Sequence, residues 1–222
     1  MSENPPVSGN PLKGLYEKRL VKVLTKEKPV LELIHSIESL GCKIPDNFFR
    51  LRSCEENISG GFSLEPETSN NSSSSGSGNS GQASKIRPHI TICDNKPMEY
   101  ETFRNTVVHE LVHAYDICRV KNFDGSNSKH MACTEIRAAA LSGECAYLHE
   151  MYRGNFLLAN GHRECVKRRA NLSLSMNPSH KVCMSCIKSD IISLCFLVSD
   201  ILSNDDAIII LCIIIFYLVF VT

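Results

Sequence analysis

Apolar positions recur every three to four residues through the first forty residues of the chain. Leu20, Val23, Leu24, Leu31, Leu33, Ile34, Ile37 and Leu40 keep that spacing and Gly41 follows them. Residues 12–40 are therefore predicted to form one or two helices, capped by the glycine, with their apolar faces packed on the rest of the protein. Residues 67–84 collapse to Ser, Asn and Gly, as in Ser69-Asn70-Asn71-Ser72-Ser73-Ser74-Ser75-Gly76. Such a stretch cannot bury apolar surface and is expected to be a flexible loop. A β-branched run then appears, Ile86, Ile90, Thr91 and Ile92 with Cys93, ended by Asp94-Asn95, and predicts a strand. Residues 99–121 give the strongest helix, because Phe103, Val107, Leu111, Ala114 and Cys118 form one apolar stripe. Beyond the polar loop Asp124-Gly125-Ser126-Asn127, a second helix is expected from about Met131 to Tyr152 and a third from about Gly161 to Ala170. The stretch from Ala207 to Thr222 is almost purely apolar. It falls short of the ~20 residues needed to cross a bilayer untilted, and is expected to be either a membrane anchor or an aberrant C-terminus.

Composition narrows the reading. A chain of 222 residues holds one domain with a proper core and some appended material. Its 24 Lys+Arg balance 24 Asp+Glu, so no nucleic-acid partner and no steering to an anionic surface are expected. Eleven cysteines are many for this length. Only Cys183 and Cys186 form a C-x-x-C pair; the others, from Cys42 to Cys212, are scattered singly. That dispersal favours structural disulfides over a zinc knuckle, and the odd total leaves at least one thiol without an intrachain partner. The N-terminal Met1-Ser2-Glu3-Asn4-Pro5-Pro6 has neither the pattern of a secretory signal nor that of a transit peptide, so import through a presequence is not expected.

The chemistry concentrates in Val107-Val108-His109-Glu110-Leu111-Val112-His113. Histidines four residues apart on a helix stand one turn above each other on the same face, so His109 and His113 can both reach one zinc ion. Glu110 adjoins the first of them and is placed to act as general base and acid on an attacking water and a leaving amine. The apolar flanks keep the turn dry, which strengthens electrostatic interactions there. A catalytic zinc takes three protein ligands, and the third is expected from the next helix. Glu135 lies 22 residues after His113 on that helix and is preferred; His130, 17 residues after His113 at the end of the loop, is the competitor. Glu135 also admits a plain ion pair with Arg137 or Arg168. Asp116 stands three residues past His113 as a candidate partner for an imidazole N–H, or as a solvated carboxylate.

Four ordered blocks carry a resemblance: His109-Glu110-Leu111-Val112-His113-Ala114-Tyr115-Asp116 with Cys118; His130 through Ala139; Leu141-Ser142-Gly143-Glu144-Cys145; and Cys165-Val166-Lys167-Arg168-Arg169-Ala170. Ile58-Ser59-Gly60-Gly61-Phe62 and Ile92-Cys93 match more weakly. Together they resemble the mitochondrial inner-membrane zinc metalloproteases that process an ATP synthase subunit and help assemble its membrane sector. The resemblance covers about residues 40–178. It departs from the family at the Ser/Asn/Gly insert, at Gly125 where relatives typically carry Trp, and after Asn177-Pro178.

The resemblance implies an α+β, zincin-like fold, with a short sheet over the HExxH helix and further packed helices. It implies Zn2+ on His109, His113 and Glu135, catalysis by Glu110, and cysteines oxidised during import. The expected organisation is an N-terminal helical region over 1–41, the metalloprotease domain over 42–178 with the insert at 67–84, and a divergent apolar tail over 179–222. The expected partner is a membrane-protein precursor, an ATP synthase subunit, and the expected location is the mitochondrial inner membrane, facing the intermembrane space. Ile90 to Cys93 is the expected edge strand for aligning substrate by β-augmentation. The rival function is a non-proteolytic assembly factor or adaptor in which zinc is structural.

Overall fold

A computed structural model describes residues 12–55, 58–66, 86–156 and 160–176. The Ser/Asn/Gly stretch expected to be a loop, the apolar tail from Ala207, and Cys183, Cys186, Cys195 and Cys212 lie outside the described residues. The architecture is mixed α+β: among the described residues there are six helices and one three-stranded sheet. Two compact units divide the chain, the first ending at Ala114 and the second starting at Tyr115.

The first unit opens with two helices, α1 (Lys13–Lys26) and α2 (Lys28–Ser39). Pro29 separates them. Proline lacks an N–H and its ring clashes with the preceding turn, so it is tolerated in the first turn of a helix and not within one. Glu27 accordingly leaves the helical region, at φ −85° and ψ 111°, and serves as the C-cap of α1 and the N-cap of α2. Gly41, expected as the cap of α2, has φ +86° and donates to the Glu38 carbonyl at 2.9 Å. Tyr16, Val23, Val30 and Ile37 are the buried positions of the two helices. Tyr16 sets its ring edge-on to Phe103 at 5.3 Å, while its hydroxyl donates to the Lys96 carbonyl and accepts from the Met98 N–H. The Tyr100 hydroxyl donates to Glu27 at 2.7 Å; burial and that carboxylate push the phenol up to about 12.

Three strands follow: β1 (Phe49–Arg52), β2 (Gly60–Pro66) and β3 (Ile86–Cys93). The order is β1-β3-β2, with β1 parallel to β3, pairing Phe49 with Ile90, and β2 antiparallel to it, pairing Gly60 with Ile92. The predicted strand is therefore present, but it is not an edge. Ile90 to Cys93 is hydrogen-bonded on both sides, so its N–H and C=O groups are not offered to a peptide, and β2 is an outer strand instead. A disulfide joins Cys54, just after β1, to Cys93 at the end of β3, and the Asn95 amide bonds both the N–H and the carbonyl of Cys54. The long helix α3 (Tyr100–Arg119) comes next, and its residues up to Ala114 belong to this unit.

The second unit holds the last turn of α3 and three further helices, α4 (Ser128–Leu141), α5 (Tyr147–Tyr152) and α6 (Gly161–Met176). Asn127 caps α4 by accepting from the Lys129 N–H at 2.9 Å. The single helix expected from Met131 to Tyr152 is broken: α4 stops at Leu141, the chain turns through Ser142 and Gly143, and α5 restarts four residues later. Ala132, Ile136 and Ala139 of α4 pack with Cys165, Val166, Ala170 and Leu174 of α6. The Cys145–Cys165 disulfide lies in that core. The turn is held by ions as well: Arg169 meets Glu144 at 2.6 Å, and Arg168 and Arg153 meet the buried Glu150 at 2.6 and 2.8 Å.

Cys42, Cys118 and Cys133 are disulfide-bonded too, so every cysteine from Cys42 to Cys165 is oxidised, in line with the disulfides expected from their dispersal. Among the described residues no helix is long and apolar enough to cross a membrane.

Candidate metal centre

Helix α3 places the motif. Phe103, Val107 and Leu111 are fully buried, Ala114 nearly so, and Val108 and Val112 bury a second row beside them. A helix covered over that much of its circumference is fixed in rotation by packing, so the residues between the apolar rows point in set directions. His113 and Glu110 are buried at 8% and 7% exposure, while His109 is half-buried. The two imidazoles stand edge-on with ring centroids 4.9 Å apart, the arrangement expected of an i, i+4 pair.

Glu135 sits in the middle of α4 at 7% exposure. His109, His113 and Glu135 each offer one ligand atom, and these atoms all lie within 4.8 Å of one another. Among the described residues no other three His, Cys, Asp or Glu side chains converge in this way. The donor set suits a divalent metal: two imidazoles and one carboxylate supply three ligands and leave a position for water or substrate. Glu110 is not a member of that cluster.

His130 is engaged elsewhere. Its Nδ1 accepts from the Asp124 N–H at 3.1 Å, and its ring lies beside Phe123 with centroids 6.0 Å apart. With that bond made, Nδ1 is occupied, and His130 is not one of the converging side chains. The same loop is braced by Asp124, whose Oδ1 accepts from both the N–H and the hydroxyl of Ser126; these bonds hold its carboxyl below the usual 3.8.

Asp116 departs from both roles considered for it. It is neither solvated nor turned to an imidazole: at 3% exposure it accepts from Arg137 Nε at 2.9 and 3.1 Å and from Arg119 at 3.2 Å. Arg137 and Arg168, the two cations that offered Glu135 an ordinary ion pair, are thus engaged with Asp116 and Glu150. Sequence reasoning weighed Arg137 only as a partner for Glu135 and missed its bond to Asp116, although an arginine inside Ile136-Arg137-Ala138-Ala139-Ala140 is a charge on an otherwise apolar run and so signals a buried partner.

Comparison with known proteins bears on this site. The profile of the peptidase M76 family matches residues 16–196, so the likeness starts before residue 40 and continues beyond Pro178, where it was expected to end. A human protein named mitochondrial inner membrane protease ATP23 homolog is 32% identical over 75% of this chain and 63% of its own length. The mitochondrial inner membrane protease atp23 of Schizosaccharomyces pombe is 30% identical over 82% of this chain and 85% of its own length. The like-named protein of Mycosarcoma maydis is 39% identical over 57% and 51%. The chain thus spans about half to two thirds of the length of several curated relatives it matches. No solved structure matches it. With the family profile running through both helices that carry the triad, this chain belongs to the peptidase M76 family.

Proposed function

We propose that the chain is a zinc-dependent metalloendopeptidase whose ligands are His109, His113 and Glu135 and whose general base is Glu110. The observation that carries this reading is the convergence of the three ligand atoms within 4.8 Å, beside a buried Glu110 on the same helix as both histidines. When bound, the metal would supply Lewis-acid polarisation of the scissile carbonyl and would acidify an attacking water. Glu110 takes the proton of that water and returns it to the departing amide nitrogen, and its burial strengthens its interaction with charge that develops next to it. On a zincin-like arrangement the sheet lies over the motif helix. A close approach of the two in the first unit supports this: a Cβ added at Gly60, at the start of β2, would lie 2.9 Å from Thr106 Cγ2, one turn before Glu110. As an outer strand at that crossing, β2 is the strand to which an extended substrate would add.

The catalytic part is assigned to residues 42–178, preceded by the helical region 1–41. The relatives' names support a location at the mitochondrial inner membrane, and seven oxidised cysteines support its intermembrane-space side. The substrate proposed is a membrane-protein precursor, an ATP synthase subunit. The test is Glu110→Gln in the full chain, incubated with that precursor. The variant is expected to keep about one metal per chain and native disulfides while cleavage falls by about 10²–10⁴. Cleavage at the wild-type rate would remove Glu110 from the reaction and leave the adaptor with a structural metal as the better reading.

A further inference from the structure

Asp116 and its two arginines make a buried charge cluster that the proposed chemistry does not use. Arg119 and Arg137 both contact one carboxylate, but they are not equivalent. Arg119 lies three residues along α3 from Asp116, so their 3.2 Å contact is made within one helix. Arg137 lies 21 residues away on α4, so its Nε bonds of 2.9 and 3.1 Å tie α4 to the last turn of α3. Asp116 and Arg137 are at 3% and 8% exposure. A charge-assisted bond screened from water in this way is short and directional.

The link adds a polar tie to a helix that is otherwise held by apolar packing on α6 and by the cross-link at Cys133. Ala132, Ile136 and Ala139 face the α6 core, and two of the three are alanines, which interlock weakly with a neighbouring helix. Arg137 follows Glu135 by two positions, so at 3.6 residues per turn the two side chains leave α4 about 160° apart, on opposite flanks. A carboxylate carried roughly 6 Å from the helix axis moves about 1 Å for a roll of about 10°. Ligand distances in a metal site hold to about 0.2 Å, so a roll of that size takes Glu135 out of bonding range.

We infer that Asp116, acting through Arg137, is a positioning residue that sets the roll of α4 and thereby holds Glu135 at the metal centre. This rests on the metal-centre reading above. It assigns Arg119 a different part: a second cation on the same carboxylate, contacting it from within α3.

The test uses the full, oxidised chain, stripped of metal with a chelator and titrated with Zn2+ and, separately, Co2+. Arg137→Lys keeps the charge and most of the stem but loses the Nε donor. It is expected to weaken both metals about tenfold, the usual cost of losing an orienting partner, and to change the visible absorption of the Co2+ form, with helical circular dichroism retained. Arg119→Gln removes a contact to the same carboxylate and is expected to bind within about twofold of wild type. Asp116→Asn keeps the shape of the side chain and is expected to weaken binding in the same direction as Arg137→Lys, which covers the case in which Lys is not accommodated. Wild-type affinity in a folded Arg137→Lys, or equal losses in Arg137→Lys and Arg119→Gln, overturns the positioning role while leaving the metal centre standing. A wild-type chain that binds neither metal overturns the metal centre and this role with it.

Discussion

Replacing Gly60 by alanine sets two effects of opposite sign against each other. Its backbone is one that alanine adopts, so the substitution restricts the unfolded chain and would by itself stabilise the protein by about 0.4–1 kcal/mol. The added methyl, however, meets Thr106 Cγ2 at 2.9 Å, the Thr91 carbonyl oxygen at 2.9 Å and Ile92 Cδ1 at 3.2 Å. Carbon–carbon contacts are comfortable at ~3.5–4.0 Å, so the overlap with Thr106 is about half an ångström. Turning Thr106 Cγ2 away breaks the 2.9 Å bond of its hydroxyl to the Thr102 carbonyl, and the Thr91 oxygen belongs to the backbone of the central strand, so relief costs either that bond or a backbone shift. Overpacking of this kind costs about 1–3 kcal/mol, and the clash is expected to win by about 1–2 kcal/mol. In urea, with a slope of about 1–3 kcal/mol per molar for a small protein, the midpoint should fall by about half to one molar with the slope unchanged. Adding Thr106→Ser removes Cγ2 and should recover only part of the loss, because the Thr91 oxygen remains. A Gly60→Ala chain as stable as wild type, or more so, would refute the close crossing of β2 and α3 on which the proposed substrate strand depends.

Two further outcomes follow, one from the site and one from the ion pairs of Glu150. Glu135→Ala should leave a two-histidine set and raise the metal dissociation constant by at least about 100-fold, whereas His130→Ala should change it little and act on the order of the Asp124–Ser126 loop; equal folding is checked by circular dichroism, and the reverse ranking sinks the ligand assignment. For Glu150, burial alone would raise the carboxyl, but hydrogen bonds from Arg168 and Arg153 and their charges outweigh it and hold the group below 4.5. A depressed folded value stabilises above the unfolded one and is lost as pH falls through the folded one, so Glu150→Gln should cost about 1.5–3 kcal/mol at pH 7 and progressively less below pH 4.5. Urea titrations of both proteins at pH 7 and pH 3 should show the gap narrowing; a gap that widens on acidification contradicts the assigned pairing.

What the sequence made legible was local. The motif helix could be read because Phe103, Val107, Leu111 and Ala114 repeat at the helical period and because i, i+4 histidines have a chemical meaning of their own. The strand Ile86–Cys93 could be read from its β-branched residues. Its neighbours could not: β1 is only Phe49-Arg50-Leu51-Arg52, and β2 begins with two glycines and ends at a proline, so neither has strand propensity enough to be seen without the partner that pairs with it. Missing both made the central strand look like an edge. The break between α4 and α5 was signalled by Gly143, yet the alanine run before it and the apolar residues after it kept a helical period across the gap. Asp116 shows the limit most clearly. Helix spacing puts it beside His113, whereas its partner Arg137 lies 21 residues on, and nothing in local periodicity reports a contact made through tertiary packing.

The oxidised cysteines and the modest core belong together. A sheet of three short strands and an alanine-rich α4 against α6 bury little apolar surface for the length of chain they must order. Cross-links act on the other side of the balance, by reducing the entropy of the unfolded chain. The Cys54–Cys93 bond closes a separation of 39 residues, including the Ser/Asn/Gly-rich stretch, and the Cys145–Cys165 bond closes 20. On the chain-entropy estimate these contribute about 4 and about 3 kcal/mol. Their sum is of the same order as the whole net stability of a domain, about 5–15 kcal/mol, and Cys42, Cys118 and Cys133 add further links. A fold balanced in this way is complete only where thiols are oxidised. Both disulfides also lie next to functional geometry, one bracing the end of β3 ahead of α3 and the other locking α6 to the turn after α4. The first disulfide braces the unit that carries His109 and His113 and the second the unit that carries Glu135, so on the proposed reading oxidation is a condition for the metal site.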